Sequence, residues 1–171
     1  MTDAPTAAPW RNRSFAAALI LGAATMAAVD EIVFHQLLRW HHFYDDATVG
    51  VGILSDGILH AAELFGFVAG FFLMLDAHRR GTFWPGAAWA GFLLGLGAFQ
   101  LWDGVIDHKV LRLHQIRYGV DVLPYDIAWI GGAALLLIAG GAVLLVLRRR
   151  QRDAAKTASR GPRAPRGAPG S

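Results

Sequence analysis

Thirteen residues from Asp103 to Gln115, DGVIDHKVLRLHQ, carry two carboxylates, two imidazoles, a lysine and an arginine inside a chain that is otherwise strongly apolar. The pattern occurs twice. At an offset of 73 positions, Asp30, His35, Leu38, Arg39 and His41 fall on Asp103, His108, Leu111, Arg112 and His114 without a gap. A third group, Asp56, His60 and Glu63, stands at i, i+4 and i+7, the spacing that puts three side chains on one helix face, with Phe67 continuing the stripe. Neutral imidazole nitrogen and carboxylate oxygen together suit zinc, iron or manganese. Four-helix bundles build such sites from inward Glu and His at short helical spacings, here His60-x-x-Glu63. With no cysteine and three methionines, a thiolate site, a Cys nucleophile and a soft Cu(I) site are disfavoured. An ionised carboxylate in hydrocarbon costs several kcal/mol unless it is paired or binds a cation, which makes these residues functional candidates.

The ligand set read from the sequence is His35, His60, Glu63, Asp103, Asp107 and His108, with Glu63 and Asp56 as candidate general bases for a metal-dependent hydrolase. Arg39, Arg112 and Asp30 are expected either to form ion pairs or, through the arginines, to hold a phosphate or carboxylate. His41, His42 and His114 are open to two readings, as members of the cluster or as interfacial residues. At 100° per residue, Glu31, His35, Arg39 and His42 share a face, and Asp30 and His41 a neighbouring one. The bland alternative is a network of interhelical hydrogen bonds and ion pairs with no ligand. A haem held between His35 and His108, which the repeat places at equal depth, is a further alternative.

The elements that must position these groups are helices in a bilayer. The chain has 171 residues, 54% hydrophobic and 17% charged, and its mean hydropathy is +0.37. This composition points to an all-α polytopic membrane four-helix bundle. Its expected parts are a cytoplasmic N-terminus over 1–14, spanning helices over about 15–40, 53–75, 83–112 and 125–147, and a basic tail over 148–171. That tail, rich in Ala, Gly, Pro and Ser, is expected to be disordered and cytoplasmic. A cleaved leader would discard half of one repeat, so the first apolar run is read as a retained helix. Of the 16 Lys and Arg, all but Arg39, Lys109, Arg112 and Arg117 flank one side, so both termini are expected in the cytoplasm of a bacterial cell with the motifs at the outer face of its inner membrane. The basic tail then faces anionic headgroups rather than nucleic acid. Helices 2 and 4 align at an offset of 70, so the chain reads as two tandem hairpins related by an axis along the membrane normal. The bilayer is the expected partner, with other subunits of a membrane complex as an alternative in which the cluster serves docking.

DEIVFHQLLRWHHFY, SDGILHAAE and WDGVIDHKVLRLHQIRYGVD resemble the signature blocks of a bacterial family of predicted membrane proteins known as domain of unknown function 2243. The resemblance runs from about Ala16 to Leu147 and implies a four-helix membrane protein without implying an activity. It also implies glycine at the position of Glu31 in many members, and histidine at those of Lys109 and Gln115.

Overall fold

The computed structural model describes residues 7–159. Among them are four long helices and no strand, and all four helices are long and apolar enough to cross a membrane. Helix α1 (Arg13–Asp30) runs without a break into a π-helical segment, Glu31–Leu37. Helix α2 spans Val49–Arg79. Helix α3 (Pro85–Trp102) likewise continues as a π-helical segment, Asp103–Val110, and α4 spans Leu123–Ser159.

Two boundaries differ for clear reasons. Helix α2 is a turn longer at each end than its apolar run, because a segment crossing lipid must satisfy its backbone internally and so absorbs Val49 to Gly52. Helix α4 passes through the arginine cluster to Ser159, which corrects the expected disorder from residue 148 onward. Residues 148–159 contain neither Gly nor Pro and are rich in the helix formers Arg, Gln, Ala and Lys. Arg148 also lies 4.4 Å over the Trp10 ring, tying α4 to the N-terminal segment. The rest of that tail, 160–171, lies outside the described residues.

The helices form an open row in the order α2, α1, α3, α4: α1 packs on α2 and α3, α3 packs on α4, and α2 meets neither α3 nor α4. In lipid, close approach of small residues replaces the hydrophobic drive. A Cβ on Gly22 would lie 2.2 Å from Phe92 O, and one on Gly95 would lie 2.1 Å from Leu19 O. These contacts are reciprocal, since 19 and 22 correspond to 92 and 95 at the offset of 73. The outer seams match too: Cβ atoms on Gly70 and Gly140 would sit 2.6 and 2.7 Å from Leu21 and Leu94 Cγ. Helices α1 and α3 are therefore parallel neighbours across a local two-fold that runs along them. At the end away from the motifs, the Asn12 side chain caps α1 by accepting from the Ser14 N–H (2.8 Å). Ser14 Oγ in turn accepts from the Trp84 N–H (3.1 Å), and Arg13 and Arg80 both pair with Asp76.

Candidate metal centre

The site is built by the two π-helical ends. Leu38 N–H donates to Val33 O (2.9 Å) and Leu111 N–H to Ile106 O (2.7 Å), each five residues back. With that wider turn, residues five apart stack above one another, which brings His35 over Asp30 and His108 over Asp103. Each end then closes through an arginine in the left-handed region, Arg39 at φ 52° and Arg112 at φ 54°. Trp40 N–H returns to Phe34 O and Leu113 N–H to Asp107 O, both at 2.9 Å, a Schellman-like close one residue wider than usual. The reversal throws His41 and His114 back over the helix ends.

These two imidazoles stack across the local two-fold, centroids 4.5 Å apart and 10° from parallel. His41 Nδ1 is 2.9 Å from Ile116 O and His114 Nδ1 is 2.9 Å from Phe43 O. A carbonyl can only accept, so both Nδ1 atoms carry a proton, and in the neutral ring each Nε2 is the lone-pair nitrogen. Burial is the main cause that pushes the His41 pKa down to about 2, which favours its neutral form. His35 is held alike: its Nδ1 donates to Asp56 Oδ1 (3.2 Å), while Nε2 has no hydrogen-bond partner and lies 3.5 Å from Asp30 Oδ2. Glu31 Oε2 stands 2.6 Å from the same Nδ1 but out of line for a hydrogen bond. His35, His41 and His114 are only 1%, 4% and 2% exposed, and each offers a ligand atom within 4.8 Å of the other two.

A second group shares His114. Asp103 Oδ1 is 3.4 Å from His114 Nε2, Asp103 Oδ2 is 3.2 Å from His108 Nε2, and the two Nε2 atoms are 2.9 Å apart. With the His114 proton on Nδ1 in the neutral ring, its Nε2 can accept from His108 Nε2. Trp129 Nε1 donates to Asp103 Oδ2 (2.9 Å) and fixes that carboxylate. Glu31, His35 and Asp56 form the third group. Asp30, Glu31, Asp56, Glu63, Asp103 and Asp107 are all buried, yet among the described residues no Lys or Arg pairs with any of them; the Lys and Arg ion pairs go to Asp76 and to Asp126. Six buried carboxylates with no Lys or Arg to balance them make a strongly cation-seeking interior.

Helix α2 supplies the flank. Asp56 accepts from three directions: His35, the Phe43 N–H (2.8 Å) and His42 Nδ1 (2.6 Å). His60 sits at the rim with its side chain 42% exposed, its Nδ1 3.2 Å from Glu63 Oε2 and its Nε2 3.4 Å from Glu31 Oε1. Of the ligands read from the sequence, His35, Asp103 and His108 come together; His60 and Glu63 join them only through Glu31, and Asp107 belongs to none of the three ligand groups. Arg39 and Arg112 form no ion pair with Asp30 or Asp103, which corrects that expectation: the left-handed close directs the arginine away from the buried acids and into a cavity of about 580 Å³ above them. The sequence leaves His41 and His114 open to two readings and does not place Glu31 in the ligand set. The signal for the two histidines was present, since they match at the same offset as His35 and His108.

The chain belongs to the family described as Predicted membrane protein (DUF2243), matched over residues 17–149. No curated protein and no solved structure matches it.

Proposed function

We propose that this family member is a metalloprotein that holds zinc, iron or manganese through Nε2 of His35, His41 and His114, with Asp103 and His108 adjacent to complete the shell. One observation carries the reading: each of the three buried rings sets its Nδ1 against a carboxylate or a backbone carbonyl, and the ligand atoms that the three offer lie within 4.8 Å of one another. Outer partners of that kind are what fix the tautomer and orientation of metal-binding imidazoles. The uncompensated carboxylates supply the charge that a divalent cation requires. A metal so held would lower the pKa of a bound water toward neutrality, the chemistry of a hydrolase, and would leave Asp56 to orient His35 and Glu63 to orient His60.

The sidedness of the Lys and Arg residues supports a bacterial inner-membrane location with both termini in the cytoplasm and the centre opening outward. The matching contacts at offsets of 73 and 70 support two tandem hairpins. Haem between His35 and His108 gains no support, because the stacked His41 and His114 rings occupy that space, 4.5 Å from His35 and 4.6 Å from His108 respectively.

Elemental analysis of protein purified in detergent tests the proposal. About one equivalent of metal is expected, falling to background in His114→Ala while the variant still elutes as a folded particle. Affinity should weaken in acid, because each ligating imidazole must be neutral to bind. A folded wild-type protein that stays metal-free when all three metals are supplied would refute the reading and favour the docking role.

A further inference from the structure

Above the imidazole cluster lies the cavity of about 580 Å³ whose buried side is formed by His41 and His114 and whose wall includes Arg39, Arg112 and His42. Both arginines adopt the left-handed conformation, which a residue bearing a Cβ occupies at a cost and which glycine would occupy freely. A favourable use of the side chain would offset that cost, but the protein itself supplies none: neither guanidinium has a hydrogen bond, an ion pair or a ring contact among the described residues. Neither caps a terminal carbonyl of the helix it ends. Asp45 and Asp46 line the same cavity and still pair with neither arginine. Two unengaged, strained, symmetry-related guanidiniums therefore face one polar cavity. Below them, His41 Nε2 is buried and has no hydrogen-bond partner.

We propose that Arg39 and Arg112 form a clamp for a phosphoryl group that enters this cavity and is held over the imidazole cluster. Two planar forks lining one cavity suit the several oxygens of a tetrahedral oxyanion better than a point charge would. The group is supplied either by a soluble phosphate ester or by the headgroup of an anionic lipid in the adjoining leaflet. The clamp stands on the arginines alone; its role as the anchor for a substrate rests on the metal reading above.

The test uses full-length protein in phosphatidylcholine nanodiscs, titrated with inorganic phosphate and followed by calorimetry, in parallel on chelator-treated and metal-supplied samples. Saturable binding of one phosphate is expected in both, so the clamp is scored even if no metal binds. In Arg39→Gly and Arg112→Gly, affinity should fall at least tenfold while metal content is unchanged and the unfolding temperature is equal or higher, since glycine relieves the left-handed strain. Replacing one third of the lipid by phosphatidic acid distinguishes the sources. Suppressed phosphate binding identifies a lipid headgroup, and undiminished binding identifies a soluble ester. Unaltered affinity in the glycine variants overturns the proposal. So does the absence of saturable phosphate binding in phosphatidylcholine together with no Arg-dependent retention of phosphatidic acid.

Discussion

Asp56 shows how much of the centre depends on groups that need not touch a metal. Its two oxygens receive His35 Nδ1, His42 Nδ1 and the Phe43 N–H, so it fixes the tautomer of one proposed ligand and pins the loop that delivers two more histidines. Asp56→Asn keeps the shape and removes the charge. Metal affinity, measured by competition against a chromophoric chelator, should fall by about 10–100-fold without being abolished. An unchanged affinity would show that the Asp56 charge is not needed to orient His35. The importance of Asp56, His35 and His108 is legible in the sequence, because ionisable residues in so apolar a chain need partners. The partners themselves are not legible, since the Ile116 and Phe43 carbonyls that set the tautomers of His41 and His114 are backbone atoms with no sequence signature.

At the level of elements, the contact between α1 and α3 decides whether the cluster assembles. Gly22→Ala would place a methyl group 2.2 Å from Phe92 O, so the helices must part. The expected loss is about 1–3 kcal/mol, seen as a lower unfolding temperature in detergent together with loss of metal. Gly141→Ala, on an open face of α4 with nothing within 4 Å, should leave both unchanged. Equal effects from the two substitutions would exclude a specific role for this seam. The four spans can be read from apolar run length, but the π-helical ends cannot. A face assignment at 100° per residue separates Asp30 from His35, whereas the wider turn stacks them. That one change of pitch is why the sequence divides into two faces a set of residues that the fold gathers into one. The same pitch, followed by the left-handed arginine, carries His41 and His114 inward from positions that read as interfacial.

For the whole molecule, sidedness is the first matter to test. A reporter fused after Ser171 should be active in the cytoplasm, and one inserted near Ala47 should report the outside; the inverse pattern would turn the cavity toward the cytoplasm and remove access from the exterior. The order of the row follows from the small-residue seams and is legible only after the offsets of 73 and 70 are laid on the packing, because hydropathy alone does not say which helices touch. The reciprocity of those seams also bears on how such a centre can change by mutation. In two identical hairpins associated about an axis, any substitution alters both sides at once. In this single chain each side can vary separately, and it does: Glu31 stands opposite Gly104, His60 opposite Ile130, and Glu63 opposite Ala133. One flank can thereby take on new chemistry while the other keeps the geometry of the shared histidines.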